Sequence, residues 1–447
     1  MTQLLFRAFG RKRSEESGHV GIEDELPPYW WRENSPIRST TRGRREYLEN
    51  KEEIENTIGL CLSGGGFRAA LFHLGSLRRL NELGILSRVD RISAVSGGSI
   101  LAAHLATALR GSWPRPGEVI EDWDKRIRDP FWEFSSNDIR TSALRFGPRS
   151  AAARLEQRID RELTKGMLLS ELPDKPSIGF GSTEMIYGRY WVTSRDFVGS
   201  SSTVLKDVKH GVNRLAGDWP VARAVAASAC FPPVFMPVNV WRQVPSELRP
   251  PEKSLKRLYL TDGGLYDNLG YMGLWSRCGI VLVSDGGGVS KASHGNAIVG
   301  PGNGLSTLWR LFRYQGILET AGRQSQKALL ISGLSSGFQK GAYWSIKTKT
   351  SHYGRSEDYG YPHDDVVDKS IVPIRTDLNK FSDPEQRILE NHGYWLAAAA
   401  IDHHLAGSLP FDVPDVPIAV PNQQWIRQMD VNTALQRSHR RLRFLPW

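Results

Sequence analysis

The 447 residues are 40% hydrophobic and 24% charged, an ordinary globular balance with room for a good-sized core, in one large α/β domain with extensions or in two or three smaller domains. The net charge of +10 favours anionic partners, phosphate headgroups or nucleic acid, although a basic protein without a special partner would carry the same charge. Three widely spaced cysteines, Cys61, Cys230 and Cys278, form neither a disulfide framework nor a zinc site, and no run of about 18 uncharged apolar residues exists to make a transmembrane helix.

Sparse cysteine fits a reducing compartment. The opening MTQLLFRAFGRKR is too short in its apolar part, with charge on the wrong side, for a signal peptide. A cytoplasmic protein is expected, able to lie peripherally on the inner membrane face. Residues 1–50 mix both charges with Pro, Ser and Gly around Tyr29-Trp30-Trp31, and read as an extension, partly disordered or packed on the main body.

Fold signals begin at Thr57. Thr57 to Ser63 is a short apolar run ending in three glycines and reads as a buried strand. Phe67 to Leu83 reads as a helix, with Ala70, Leu74, Leu77 and Leu80 at helical spacing and Gly84 as its stop. Arg91 to Val95 is the next strand and Gly98 to Leu109 the next helix. This order is the signature of a parallel sheet with helices on its faces. Gly111 to about Lys175 reads as helical and charged, without a clear site. Tyr187–Ser194, Leu258–Leu260 and Ile280–Ser284 read as strands, and Leu305–Leu330 as a helix. Ser382-Asp383-Pro384-Glu385 starts a helix running to about Leu405, with Pro at its first position. From Pro421 the tail mixes Trp425, Phe444, Leu445 and Trp447 with Arg437, Arg440, Arg441 and Arg443.

Three segments carry chemistry. Ser93-Ala94-Val95-Ser96-Gly97-Gly98-Ser99 lies at a strand-to-helix junction. A nucleophilic serine needs a sharp, strained turn with tiny neighbours, and Ala94 and Gly98 flank Ser96 at minus two and plus two. The following helix points its amides at the site, which favours developing negative charge. A plain Gly/Ser-rich loop reads the same way. Ser63-Gly64-Gly65-Gly66-Phe67-Arg68 can turn several amides toward one point, a nest for an oxyanion or phosphate. Gly64-x-Gly66-x-x-Ala69 also matches a dinucleotide fingerprint, but the next strand ends in Val95-Ser96-Gly97, without the acidic residue that fingerprint wants. No G-K-[ST] follows, which excludes a P-loop. The third segment, Asp262-Gly263-Gly264-Leu265-Tyr266-Asp267-Asn268, places a carboxylate directly after a strand, where it can accept a serine proton, or is a common Asp-Gly turn. Ser284-Asp285-Gly286-Gly287-Gly288 repeats the pattern after the next strand.

A G-G-G-x-R nest, an elbow about 30 residues on and a distant D-G-G, in that order, resemble the patatin-like phospholipases of bacterial type. Ala227-Ser228-Ala229-Cys230-Phe231-Pro232-Pro233-Val234-Phe235 looks like that family's small-residue helix end and turn, and His392-Gly393-Tyr394 is similar to a late segment. The resemblance spans roughly residues 57–405. It implies a three-layer α/β/α fold with a central, mostly parallel sheet, within a catalytic domain of about 55–410, followed by a basic, aromatic tail of 411–447. It implies fatty-acid release from phospholipids by a Ser–Asp dyad through an acyl-enzyme, without cofactor or metal. Carried over residue by residue, Ser96 is the nucleophile and Asp262 the base. The amides of Gly64, Gly65 and Gly66 form the oxyanion hole, and Arg68, Gly98, Gly263 and Gly264 support. Asp262 is preferred to Asp285 for its L-Y-D-N context. Ala94 stands where the family's first elbow glycine would be.

Alternatives stay open: a catalytically silent scaffold of the same fold, or an esterase whose triad is completed by His392, His403 or His404, all three in one expected helix. The His363-Asp364-Asp365 cluster lacks partners at ligand spacing, so no metal is expected. The expected partner is a phospholipid surface, anionic by charge, not nucleic acid. The Tyr29-Trp30-Trp31 segment and the tail either rest on that surface or pack on the protein. A cytoplasmic lipase endangers its own membrane, so regulation by a ligand or partner is expected, with an unknown activator or a homo-oligomer as candidate partners.

Overall fold

The computed structural model describes residues 51–143, 150–200, 219–232, 234–241, 257–275, 277–287, 304–354, 360–361 and 365–438. The nest, the elbow and both Asp-Gly-Gly segments lie within them, except Gly288. Pro233, His363, Asp364 and the Tyr29-Trp30-Trp31 segment fall outside, as does the tail beyond 438.

A single sheet organises these residues. Its central strands are β1 (Ile58–Leu62), β2 (Arg91–Val95) and β3 (Ser177–Glu184), with β8 (Ile280–Asp285) and β9 (Lys340–Ser345) on the far side of β1. These five run parallel in the order β3-β2-β1-β8-β9. Beyond β3 the sheet turns antiparallel through β4 (Arg189–Thr193) and β5 (Val198–Ser200). The short strands β6 (Val238–Asn239) and β7 (Tyr259–Asp262) complete it, β7 pairing antiparallel with β3.

Alternation along β1 shows the layers. Ile58, Leu60 and Leu62 enter the main core with α1 (Gly66–Glu82), α2 (Gly97–Ala108), α5 (Val221–Ala229) and α7 (Asp383–Leu405). Cys61 points to the other face, into a smaller core with Val281, Val283, Leu269, Tyr271 and Leu330 of α6 (Gly304–Ser335). Helices therefore cover both faces, as parallel strands require, since both their faces must be buried. Short helices α3 (Ile139–Ala143) and α4 (Ala151–Ile159) lie in the charged stretch between β2 and β3, and α8 (Gln428–Leu435) follows α7.

Helices α1 and α7 cross with almost no space between their backbones. A Cβ on Gly75 would meet the Glu390 carbonyl at 1.8 Å, and one on Gly393 would meet that of Phe72 at the same distance. That close crossing gives Gly393 its packing role. Ser382 caps α7 with Glu385 reaching back, and Pro lies in its first turn. The tail up to 438 folds back on the body: Asn422 bonds both Asn391 and Glu390 of α7, and Phe411, Val416 and Trp425 pack on the main core.

The sequence reading holds no strand at 177–184 or 340–345. Ser and Gly dilute the β-propensity of SIGFGSTE, and Lys340-Gly341 does the same for β9. The missing β3 matters most, because it is the ruler that aligns the site. No described helix is long and apolar enough to cross a membrane. All three cysteines are buried and free.

Candidate active site

Strand β3 brings two distant segments together. Its residue Gly181 pairs with Val95, the last residue of parallel β2, and the next residue, Ser182, pairs with Asp262 of antiparallel β7. Strands β2 and β7 thus run toward each other along one edge of β3 and stop at adjoining registers. Ser96 follows Val95, so Ser96 and Asp262 meet head to head.

Ser96 occupies a conformation rare for a side chain, φ 50° and ψ −115°, between β2 and α2. The sharp turn depends on its glycines. A Cβ on Gly97 would meet the Gly66 carbonyl at 2.1 Å and one on Gly98 the Leu62 carbonyl at 2.2 Å. Ala94 is fully buried without positive φ. Ser228 of α5 holds the turn from beneath. Its hydroxyl accepts from the Ser96 amide (2.9 Å), bonds Ser99 Oγ (2.8 Å) and donates to the Gly181 carbonyl (2.5 Å). The small-residue helix end around Ser228 is visible in the sequence, but its target is not.

Asp262 is buried. Its Oδ1 accepts from the Gly264 amide at 2.7 Å, while Oδ2 is buried without a hydrogen-bond partner among the described residues. Burial pushes its pKa up to about 7, against the Ser96 hydroxyl and the Gly264 amide, which draw it down. A Cβ on Gly263 would meet the Gly181 carbonyl at 2.3 Å, so that glycine lets β7 close on β3. Asp267 fixes the rest of the loop by accepting the amides of Leu269, Gly270 and Met272.

The nest sits beside this pair: a Cβ on Gly64 would lie 3.2 Å from Ser96 Cβ. One of its three amides is already spent, since Gly64 donates to the Asn268 carbonyl at 2.9 Å. The oxyanion reading therefore narrows to Gly65 and Gly66. Both are partly exposed, their amides have no acceptor among the described residues, and Gly66 begins α1 at φ 61°. Arg68 is buried and gives its hydrogen bonds to carbonyls of Gly286, Gly287, Val372 and Ile374, tying the second glycine loop and the segment before α7 to α1.

Asp285 ends β8 on the face that α6 covers. It pairs with Arg323 at 2.6 Å and accepts from Tyr343 at 2.9 Å and the Gly287 amide at 3.1 Å. Burial alone would raise it, but Arg323 and these donors hold it down at about 2. The histidines lie elsewhere. His392 is buried in α7, bonded to the Ile346 carbonyl at 3.0 Å and lowered to about 4 by burial. His403 and His404, at the end of α7, set their rings tilted and edge-on against Tyr353.

Ser96, Asp262, Gly65 and Gly66 line one cavity of about 160 Å³, and no histidine is among its described lining residues. Phe231, Val234 and Phe235 give it an apolar wall. Arg140, Glu319, Thr376 and Asp377 also line it, and sequence reading missed all four. They come from the charged stretch, from α6 and from the segment before α7, and no local motif marks them.

Comparison with curated protein sequences returns no match. Among solved structures, human GIVD cytosolic phospholipase A2 is similar at 15% identity, over 59% of this chain and 46% of its own, with a TM-score of 0.37. The chain thus spans less than half of that protein's length. VipD from Legionella pneumophila is similar at 13% identity, over 78% of this chain and 67% of its own, with a TM-score of 0.30. Residues 60–275, a stretch that takes in nest, elbow and Asp262, match the family described as Patatin-like phospholipase.

Proposed function

We propose that this chain is a lipid acyl hydrolase that releases fatty acid from phospholipids, with Ser96 as nucleophile and Asp262 as base. The observation that carries this reading is the meeting of a strained, half-exposed serine with a buried carboxylate whose pKa lies near neutrality and whose Oδ2 is open. Asp262 takes the Ser96 proton as Oγ attacks the ester carbonyl, and returns it to the departing alcohol. Water, deprotonated by the same carboxylate, then attacks the acyl-serine, and the proton passes on to the departing Ser96 Oγ as the acid is freed. The Gly65 and Gly66 amides bear the oxyanion in both steps, at roughly 2.7–4 kcal/mol for a typical single donor.

The cavity is smaller than the roughly 300–1,000 Å³ of a site that encloses a drug-sized ligand. It suits the ester and its near neighbours, with the acyl chain along Phe231 and Phe235. A silent scaffold would have no use for a serine at φ 50° beside an unsatisfied carboxylate oxygen, features that cost about 1–3 kcal/mol each. The triad reading finds no histidine among the described residues that line the cavity. Access to phospholipid implies work at a membrane surface.

The test is fatty-acid release from phosphatidylglycerol–phosphatidylcholine vesicles, with labelling by a serine-reactive fluorophosphonate. Wild type should release acid and carry one adduct at Ser96, and Ser96→Ala should do neither. Release by Ser96→Ala, or an adduct on another residue, would overturn the reading.

A further inference from the structure

The cavity holds a cation that the dyad chemistry does not use. Arg140, from α3, is 3% exposed and is the sole Lys or Arg among the described lining residues. Its Nη1 donates to Asp377 Oδ2, and Asp377 Oδ1 accepts the Leu378 amide at 2.7 Å, so the carboxylate is satisfied. The guanidinium is not. Nε and Nη2 are both buried without a partner among the described residues. These two nitrogens form one edge of the planar fork, the arrangement that grips two oxygens of one anion.

The fork is also held in register with the proposed oxyanion hole. The Asp377 carbonyl accepts the Phe67 amide at 2.9 Å, and the Leu378 carbonyl accepts the amides of Ile139 and Arg140, at 3.1 Å each. A Cβ on Gly66 would strike the Asp377 carbonyl at 2.4 Å, so the segment that holds Arg140 lies against the nest itself. A buried cation with two spare, parallel donors, on a side chain that lines a cavity, is costly unless something takes them. Arg68 does not compete for that role, since its hydrogen bonds go to carbonyls.

We infer that the Nε–Nη2 edge of Arg140 takes the phosphodiester of the substrate headgroup, selecting phospholipids over neutral glycerides. This rests on the proposed function and deepens it. A fatty-acid carboxylate offers the same two-oxygen chemistry, so the experiment separates the two sources.

Two variants are needed. Arg140→Lys keeps a cation for Asp377 but has no fork. Arg140→Gln/Asp377→Asn removes both charges and leaves neither buried alone. In the Ser96→Ala background, titrations with dihexanoylphosphatidylglycerol, dihexanoylglycerol and hexanoate give binding without turnover. In the active background, kcat/KM for the first two lipids gives the same preference during turnover. Both variants should lower the phospholipid-to-glyceride ratio by about tenfold or more, the scale of one lost charge-assisted pair. An equal fall for both lipids, or an unchanged ratio, overturns the inference, and a selective loss of hexanoate binding assigns the fork to the product instead. Fork-dependent phospholipid binding without hydrolysis of either lipid would sink the proposed function while leaving the fork. Hydrolysis indifferent to Arg140 would do the reverse.

Discussion

The chain writes Asp-Gly-Gly twice after a sheet strand, and the two copies become different chemical objects. Both carboxylates are buried, and both accept the amide two residues on, from Gly264 and Gly287. The shared letters thus specify the same turn. What separates them is the neighbour. Asp285 meets Arg323 and Tyr343, is saturated with donors and sits at about 2. Asp262 meets no cation among the described residues, leaves Oδ2 without a hydrogen-bond partner there and is pushed up to about 7. A motif supplies backbone geometry, and the surrounding fold decides whether its carboxylate is a strut or a base.

The strongest attempt to break this contrast exchanges each carboxylate for its amide. Asp262→Asn should lose at least about 10³-fold in fatty-acid release, because the two members of a dyad act as a unit. Asp285→Asn should stay active but lose on the order of 2–3 kcal/mol in urea unfolding, since it leaves Arg323 without its buried partner. If Asp285→Asn were inactive at a concentration and temperature where it is folded, and Asp262→Asn active, the two assignments would be reversed.

That choice marks the limit of what the sequence discloses. The strand–nest–helix and strand–elbow–helix units are legible because their signals are local: apolar runs, glycine clusters and helical spacing within some 20 residues. The contrast between the aspartates is not, because Arg323 and Tyr343 lie 38 and 58 positions beyond Asp285. Gly64 was expected to lend its amide to the oxyanion hole, but that amide is consumed by Asn268 across the site. Strand β3 is hidden by its own serines and glycines, yet it sets the Ser96–Asp262 register. Arg140 and Asp377, 237 positions apart, are ordinary surface letters until folding buries them together.

The same contrast should appear in pH dependence, with opposite signs. Asp262 moves from 3.8 unfolded to about 7 folded, so the native state holds its proton more tightly. Its contribution to stability is fully present below about pH 4 and is lost as pH rises to about 7. Asp285 moves from 3.8 to about 2, so its contribution is present above about pH 4 and is lost as pH falls toward 2. Unfolding free energies of wild type and the two Asn variants between pH 3 and 8.5 resolve the two curves. Asp262→Asn should be the more stable protein at pH 8, by on the order of 1–3 kcal/mol, while being the inactive one. The base works ionised, so kcat/KM should rise with pH through a midpoint near 7. A flat rate between pH 6 and 8 would remove Asp262 from that role.

The smallest effect is expected where the sequence departs from the patatin-like spelling of the elbow. If neighbours rather than letters decide function, the identity of the first elbow position should matter little to chemistry. Ala94 is fully buried, pairs with Phe180 in register and has no positive φ, while the strain sits two residues later on Ser96. Ala94→Gly removes one packed methyl, about 0.8 kcal/mol of burial, and loosens a strand by roughly 0.5–1 kcal/mol. Unfolding should therefore shift by about 1–2 kcal/mol, while kcat/KM stays within about threefold. A loss of tenfold or more in kcat at full folding would mean that the Ala94 methyl helps hold Ser96 at φ 50°, and that the elbow is strained by its own strand rather than by Gly97, Gly98 and Ser228 packing around it.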